Sequence, residues 1–354
     1  MAYAARMQTT FEPAAPSGPT RRGVALTPME TRKDVIVEMA ALADRLGYEI
    51  FSVPEGWGFD STVLLTEVAL RTERIRPMAG ILSIWGRSPG TLAMTAASLA
   101  EVSDDRFILG LGASTKPLVE GFHGLPFARP ARRLATTLRR VRTLLKGERA
   151  ALPDDISARA LRLGQPPRPD LPIYVAAMGK RAVEVTATQA DGWFPFYVTR
   201  DGMTARIEAA RKLRRAAGRG DDLTVLAGPN VAFDADPATA RQSAAANLAW
   251  YMAAMGGVYA KSARSEGYGA EVDAIIAANP RPSPSAGEVP AQAERLLDQV
   301  AVWGGADAIR RGLDRWKAAA DVVMLNIRPG APWDEIEAIL HAGAPVRTYA
   351  AAGE

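Results

Sequence analysis

The chain has 354 residues, with 43 Lys and Arg against 39 Asp and Glu, two histidines and no cysteine. Hydrophobic residues make up 48% and charged residues 23%, a composition typical of globular proteins and not of disordered or collagen-like chains. The lack of cysteine excludes disulfides, iron–sulfur clusters and Cys-ligated zinc, and two histidines cannot form a three-His metal site. We therefore expect no metal. If the chain is an enzyme, a cofactor must supply its difficult chemistry.

Arginines outnumber lysines, and their densest cluster lies between residues 129 and 142. These arginines recur at helical spacing among leucines and valines, which indicates the solvated face of an amphipathic helix. An anionic cofactor tail or nucleic acid is the alternative partner for this cluster. No zinc finger, basic zipper or aromatic RNA-binding signature accompanies it, so we expect no nucleic-acid binding.

Residues 1–21 are rich in Ala, Pro, Ser and Thr and lack the continuous apolar core of a signal peptide. We expect a flexible tail on a cytoplasmic protein. No stretch of the chain approaches the roughly 20 apolar residues that a membrane-spanning helix needs.

From residue 22 onward, short apolar runs alternate with longer helical patterns. The predicted helices include 32–46, 61–71, 89–102, 130–145 and one that starts near 180. The predicted strands are 23–26, 49–53, 75–84, 107–111, 172–176, 192–195, 224–233 and 321–327. Apolar strands of this kind are buried on both faces, which requires helices packed outside a parallel sheet.

Eight strands that alternate with helices favour a closed (β/α)8 TIM barrel over an open doubly wound sheet. We predict a single barrel domain over residues 22–345. The segment 256–290 does not fit the repeat and contains one helical pattern at 272–278. We interpret it as an insertion after strand seven that acts as a lid or an interface, because barrel ligands bind where strands end in loops.

Unusual residues follow several predicted strands. Glu55, Trp57 and Asp60 follow the second strand; Glu55 is a candidate for acid–base work, whereas Asp60 is expected to cap the next helix. For Trp57, local packing and a role in the pocket are equal alternatives. His123, in the loop after strand four, is either a packing residue or a pocket residue.

Small residues follow strands three, four and five. Gly80 inside the third strand marks a bulge or a close backbone approach. Residues 176–181 lead directly into a helix, where free N–H groups, Gly179 and two cations could cradle a phosphate; a plain turn with solvated basic residues is the alternative. Neither a Walker A sequence nor a G-x-G-x-x-G or G-x-S-x-G motif is present.

Several motifs, in their order and spacing, resemble the luciferase-like flavin and deazaflavin oxidoreductases. They include Leu-Gly-Tyr at 46–48, Pro-Glu-Gly-Trp-Gly-Phe-Asp at 54–60, Gly-Ile at 80–81, Arg-Phe-Ile-Leu-Gly-Leu-Gly-Ala-Ser at 106–114 and Ala-Asp-Gly-Trp-Phe-Pro at 190–195. Glu-Gly-Tyr at 266–268 and Trp-Gly-Gly at 303–305 resemble the coenzyme F420-dependent branch of this family. The resemblance covers about residues 22–343.

The resemblance implies an isoalloxazine-type ring at the carboxyl ends of the strands, backed by a non-prolyl cis peptide at Gly80–Ile81. The implied cofactor-binding residues are Gly80, Ile81, Ser83, Gly112, Ala113, Ser114, Ala176, Ala177, Met178, Gly179, Lys180 and Arg181. Substrate-binding roles are implied for Trp57, Trp85 and Phe196. Glu55 and His123 are the candidates for supplying a proton.

The implied reaction is hydride transfer between reduced F420 and a C=N, C=C or C=O group of a small organic substrate. Residues 113–115 carry no acidic side chain where the sugar-phosphate dehydrogenases of the family have one, which argues against glucose-6-phosphate oxidation.

Two alternatives stay open. One is an FMN-dependent luciferase-like monooxygenase, which shares the fold, and the other is a barrel that binds a ligand without catalysis. Because the family commonly forms dimers, we expect a homodimer. We also expect the protein to bind a small-molecule substrate. The high Arg and Ala content is typical of GC-rich bacteria, where such enzymes often act in secondary metabolism.

Overall fold

The computed structural model describes residues 21–255 and 257–345. The tail expected over residues 1–21 therefore lies outside the described residues except for Arg21. In the described part, short buried strands alternate with longer helices. The strands are β1 Arg22–Ala25, β2 Ile50–Val53, β3 Arg76–Ala79, β4 Leu82–Ser83, β5 Leu109–Gly112, β6 Ile173–Ala176, β7 Gly192–Trp193, β8 Thr224–Ala227, β9 Asn230–Phe233, β10 Ala301–Gly304 and β11 Val322–Ile327.

Several of the helices between them are amphipathic, and some begin at side-chain caps: Asp60 accepts from Thr62 N, and Ser88, just before Pro89, accepts from Thr91 N. None of the described helices has both the length and the apolar character needed to cross a membrane. They are α1 Lys33–Leu46, α2 Ser61–Arg71, α3 Pro89–Val102, α4 Lys116–Gly121, α5 Pro130–Leu145, α6 Lys180–Gln189, α7 Arg200–Ala216, α8 Pro237–Ala253, α9 Gly257–Ser265, α10 Gly269–Ala278, α11 Glu294–Val300, α12 Ala306–Asp314 and α13 Trp333–Ala342.

The strands form a closed parallel barrel. Their order around the sheet is β3, β2, β1, β11, β8, β7, β6, β5 and β4. β3 and β4 are two parts of one barrel strand, and β4 pairs with β5 while Met78 of β3 bridges to Ile108 just before β5. These contacts join the two ends of the sheet. The predicted TIM barrel is therefore confirmed, with its side chains filling the interior and its helices outside.

Two of the predicted strands are interrupted. The third breaks at Gly80–Ile81, and the seventh breaks into β8 and β9 at Gly228–Pro229. Pro229 has no N–H to donate to a neighbouring strand, and the Asn326 side chain bridges the break by donating to the carbonyl oxygens of Gly228 (2.9 Å) and Pro229 (3.1 Å).

Strand β10 was not predicted, and it pairs with β9 outside the barrel path. Its four residues, Ala-Val-Trp-Gly, form too short an apolar run to stand out from the helix that precedes them.

The segment predicted as an insertion contains two helices, α9 and α10, instead of the one expected. Its buried side chains do not join the main core between the barrel and its outer helices. Tyr268, Val272 and Ile275 pack instead with α8, α11 and the start of β10 in a separate hydrophobic cluster, which we call the second core. The insertion is therefore a small packed layer at one side of the barrel.

Asp44 ties α1 to the segment that enters β3. Its carboxylate accepts hydrogen bonds from the backbone N–H groups of Glu73 (3.0 Å), Arg74 (2.9 Å) and Ile75 (2.6 Å). Burial by itself would raise the pKa of Asp44, but these three N–H donors outweigh burial and hold the pKa below its usual value.

Replacing Asp44 with Asn should lower the free energy of unfolding at pH 7 by about 1–3 kcal/mol, because the amide NH₂ would face a backbone donor. Since the carboxylate has a lowered pKa, its contribution is present above pH 4 and is lost as the pH falls further. The difference in the free energy of unfolding between wild type and Asp44→Asn should therefore become smaller below pH 4. Urea unfolding at several pH values measures this gap. The exposed Asp34→Asn on the same helix is the control, and a constant gap would contradict the assignment.

Candidate functional site

A cavity of about 920 Å³ opens at the carboxyl ends of the barrel strands. Because the strands are parallel, the loops that follow them meet at this end, where ligands of such barrels bind. Residues from the end of α8 and from the first turn of α9 in the insertion complete the wall. The lining residues lie within segments 25–28, 54–55, 80–81, 112–115, 127–132, 176–182, 194–196, 251–255 and 258–259.

The break in the third strand forms part of the cavity wall. The Gly80–Ile81 peptide is cis, as the family resemblance predicted. The Ile81 side chain lies over Gly112, where a Cβ would come within 2.8 Å of Ile81 Cδ1. A Cβ on Gly80 would come within 1.7 Å of Ser52 Oγ. Both glycines are therefore required for the close packing of three neighbouring strands at this point.

The residues predicted to bind a cofactor are brought together along this wall, with one exception. All of them except Ser83 line the cavity. Ser83 is buried behind it, where its backbone N–H donates to Glu55 Oε2 (3.3 Å) and its Oγ accepts from Trp85 N (3.2 Å). Ser114 lines the cavity with φ = 56°, a left-handed conformation that is uncommon for a residue other than glycine.

Glu55 lines the cavity, and both of its carboxylate oxygens are engaged. Oε1 accepts from the Arg87 guanidinium, and Oε2 accepts from Ser83 N. Arg87 also donates to Asp60 Oδ1 (2.8 Å), the N-cap of α2. The Glu55 backbone N–H donates to Ile81 O (3.3 Å), so the end of strand two is tied to the break in strand three. The carboxylate is thus held in one orientation beside the cavity.

Of the residues predicted to bind substrate, only Phe196 lines the cavity. Trp57 is 51% exposed, because Gly56 packs on Pro28 and the loop then turns outward. Trp85 is buried behind the wall, where its Nε1 donates to Ala113 O (2.9 Å) and Arg133 lies 4.4 Å from its ring centre.

His123, predicted as a possible proton donor, is also absent from the lining. It lies against Gly86 and packs edge-on to Phe122, with ring centres 5.2 Å apart. His123 therefore occupies a packing position, one of the two alternatives that the sequence left open for it.

Four cations lie where α5 and α6 begin, at one side of the cavity. We call Arg129, Arg132, Lys180 and Arg181 the basic mouth. In the described part of the chain, none of their side chains forms an ion pair or a hydrogen bond. Free N–H groups and the positive ends of two helix dipoles point to the same region. An anionic group would find unpaired charge and free donors here.

The arginine cluster of α5 was predicted to be a solvated face, and Arg129, Arg132, Arg133 and Arg139 are exposed. Two of these exposed arginines, Arg129 and Arg132, also line the cavity. Others in the cluster have structural roles: Arg133 Nε donates to Ile84 O (3.0 Å), and Arg142 donates to Leu171 O (2.8 Å) and pairs with Asp191. Helical periodicity locates the exposed side of a helix but cannot tell which of its turns faces a cavity.

Aromatic residues form another part of the cavity wall, at the junction of α8 and α9. Tyr197 and Tyr251 are stacked with ring centres 4.3 Å apart, and Phe196 and Tyr259 contact them edge-on. Sequence reasoning did not single out Tyr251 and Tyr259 as site residues. The signal available was only their place at the start of the predicted insertion.

No metal centre accompanies these features. Within residues 21–255 and 257–345, no three His, Asp or Glu side chains come close enough together to hold a metal ion.

Comparison with known proteins identifies the family. The sequence matches the luciferase-like monooxygenase family over residues 17–321. The chain belongs to this family. A Mycobacterium tuberculosis protein provisionally named a coenzyme F420-dependent oxidoreductase is 29% identical over 317 residues, which cover 83% of this chain and 90% of that protein. The family resemblance inferred from the motifs is therefore confirmed, and with it the class of F420- or flavin-dependent oxidoreductases.

Solved structures agree with the fold. The F420-dependent tetrahydromethanopterin reductase of Methanopyrus kandleri superposes with a TM-score of 0.73 at 17% identity, covering 92% of this chain and 98% of that one. The oxygenating component of 3,6-diketocamphane monooxygenase from Pseudomonas putida, solved in complex with FMN, superposes with a TM-score of 0.68 at 16% identity and the same coverage. One barrel thus occurs with both kinds of cofactor.

A double-mutant cycle between Glu55→Gln and Arg87→Met should give a favourable coupling of about 1–3 kcal/mol in the free energy of unfolding, because the pair is largely shielded from water. The control cycle pairs Arg87→Met with Asp60→Asn, which keeps the helix cap while removing a half-exposed charge. Its coupling should stay below about 1 kcal/mol. Equal couplings in the two cycles would show that Glu55 is not held as described.

Proposed function

We propose that this protein is an F420-dependent oxidoreductase that transfers a hydride between the reduced deazaflavin and a C=N, C=C or C=O group of a small organic substrate. The observation that carries the proposal is the basic mouth beside a largely apolar cavity. A flat ring with an anionic tail fits this division into an uncharged wall and a cationic entrance.

The number and spread of the cations favour F420 over FMN. FMN ends in a single phosphate, which the first turn of α6 with Lys180 and Arg181 could hold. The tail of F420 is longer, because carboxylates follow its phosphodiester. Arg129 and Arg132, at the start of the neighbouring helix α5, give additional cations along such a tail.

The wall of the cavity also fits a flat ring. Ile81, Met178 and Phe194 present apolar surface, and Gly112 keeps the Ile81 side chain close to the barrel. Thr27, at the end of β1, lines the cavity with a buried hydroxyl that has no hydrogen-bond partner in the described part of the chain. A polar edge of a bound ring would give this hydroxyl the partner it lacks.

Bound F420 supplies the hydride donor or acceptor that no side chain of this protein can provide. The protein contributes orientation, exclusion of water and a polar group beside the reacting atoms. Glu55 is our candidate for that group, because it carries the only carboxyl group among the described lining residues and no histidine accompanies it. Arg87 and Ser83 act as positioning residues that hold the Glu55 carboxylate in place.

Titration of the purified protein with F420 and with FMN, followed by fluorescence, tests the proposal. F420 should bind more tightly, and its dissociation constant should rise with salt. An Arg129→Met/Lys180→Met double variant should weaken F420 binding by about 10- to 100-fold and reduce the salt dependence, because two unpaired cations are removed.

Arg139→Met is the matched control for this titration, since Arg139 lies on the same helix outside the cavity, and among the described residues its side chain hydrogen-bonds Thr136 alone. Tight FMN binding without F420 binding would replace the proposal with an FMN-dependent monooxygenase. Binding of neither cofactor would favour a barrel that binds another ligand without catalysis.

Glu55→Gln should lower turnover at least tenfold while leaving the F420 dissociation constant within about threefold, because it removes the carboxyl chemistry and keeps the side-chain size. Stopped-flow oxidation of reduced F420 by a panel of small ketones, enones and imines measures turnover. Asp60→Asn, which touches the same Arg87 outside the cavity, is the control. Unchanged turnover in Glu55→Gln would remove Glu55 from the mechanism.

A further inference from the structure

Two tyrosines that line the cavity carry hydroxyls with no hydrogen-bond partner among the described residues. Tyr251 is only 1% exposed and Tyr259 is partly buried, yet neither hydroxyl makes a hydrogen bond to any described residue. Both residues line the cavity. Neither hydroxyl oxygen is among the fully buried, unpaired side-chain atoms of the described residues, so both are accessible, and a ligand in the cavity that these residues line can pair with them.

The rings that carry these hydroxyls are held firmly. Tyr197 donates a hydrogen bond to Asn247 Oδ1 (2.9 Å) and provides the face on which Tyr251 stacks. Tyr259 contacts Tyr251 edge-on at 5.2 Å between ring centres. Because each ring is fixed by its neighbours, the direction in which its hydroxyl can donate is also restricted, and this restriction is the basis of selectivity for a ligand.

The surroundings of the pair are uncharged. Burial raises the pKa of Tyr259 to about 12, and burial together with Tyr259 raises the pKa of Tyr251 well above its usual value. No charged side chain contributes to either shift. Both hydroxyls therefore stay neutral donors at physiological pH, and a charged group placed beside them would lose its water without gaining an ionic partner.

The tyrosines and the basic mouth belong to different sectors of the barrel. The basic mouth follows β5 and β6, whereas the tyrosines come from α8 and α9, which follow β8 and β9. Strand β7 lies between these sectors, and the aromatic residues Phe194 and Phe196 follow it. An anionic tail at the basic mouth would leave the tyrosine sector for a second, uncharged molecule.

We propose that Tyr251 and Tyr259 form the hydrogen-bonding site for the acceptor atom of an uncharged, largely apolar substrate, such as the oxygen of an alkyl ketone. The remaining side chains of this sector, Phe196, Met255 and Val258, surround the apolar part of that substrate. This inference rests on the proposed function, because it names the substrate class of the same cavity. The two hydroxyls donate hydrogen bonds to the substrate, and the proposal gives them no role in proton transfer.

The test uses three probes of similar length: 2-octanone, which is neutral and has an acceptor oxygen, 1-octene, which has none, and octanoate, which is charged. Ligand-observed NMR measures their dissociation constants on the full chain, with and without F420. Wild-type protein should bind 2-octanone about tenfold more tightly than 1-octene with or without F420, and about tenfold more tightly than octanoate when F420 occupies the basic mouth. In Tyr251→Phe/Tyr259→Phe, 2-octanone binding should weaken about tenfold, while 1-octene binding stays within about twofold.

Tyr268→Phe is the matched control, because it makes the same chemical change in the insertion but outside the cavity, where Tyr268 stacks under Arg295. Its probe affinities should equal those of the wild type. The inference is overturned if wild type shows no preference for the ketone over 1-octene, if this preference survives the double substitution, if octanoate binds as tightly to the F420-bound protein, or if no probe binds. Unfolding temperatures of all variants check that the fold is kept.

Failure of this inference is distinguishable from failure of the proposed function. The double tyrosine variant should bind F420 as the wild type does, because the basic mouth is untouched. If wild-type protein does not bind F420, the proposed function is refuted. The preference for 2-octanone over 1-octene is measured on the cofactor-free chain, so its failure refutes only the further inference.

Discussion

The site depends on the close packing of three strand ends around Gly80 and Ile81. Gly80 N donates to Val53 O (2.8 Å) of β2, Ile81 O accepts from Glu55 N, and the Ile81 side chain rests on Gly112 of β5. Larger residues at either glycine would separate these strands. The contact therefore orients the Glu55 carboxylate, shapes one wall of the cavity and joins β3 to β4 in a single barrel position.

Most of the barrel could be predicted from the sequence, because strands buried on both faces and capped amphipathic helices leave strong local patterns. The bounds of α2, α3 and α5 agree with the prediction. The break at Gly80–Ile81 was anticipated from the glycine and from the family resemblance, whereas the break at Gly228–Pro229 depends on contacts between strands that the periodicity of one strand does not reveal. The short strand β10 gave too weak a pattern.

The site was predictable only where a residue's role follows from its place on a strand end, as for residues 112–114 and 176–181. Trp57, Trp85 and His123 were assigned to the pocket from the family resemblance, and the structure places them outward or behind the wall. Arg129, Arg132, Tyr251 and Tyr259 face the cavity because of how whole helices pack, which no local pattern encodes.

The second core has a consequence for how such a protein can diversify. The side chains that hold the tyrosine-bearing wall pack with α8, α10 and α11, apart from the core that supports the barrel and the basic mouth. Substitutions in this layer can reshape one side of the cavity without touching most of the side chains that form the main core. Natural variation could therefore reshape the tyrosine-bearing wall while the basic mouth is inherited intact, so that one scaffold accumulates many specificities.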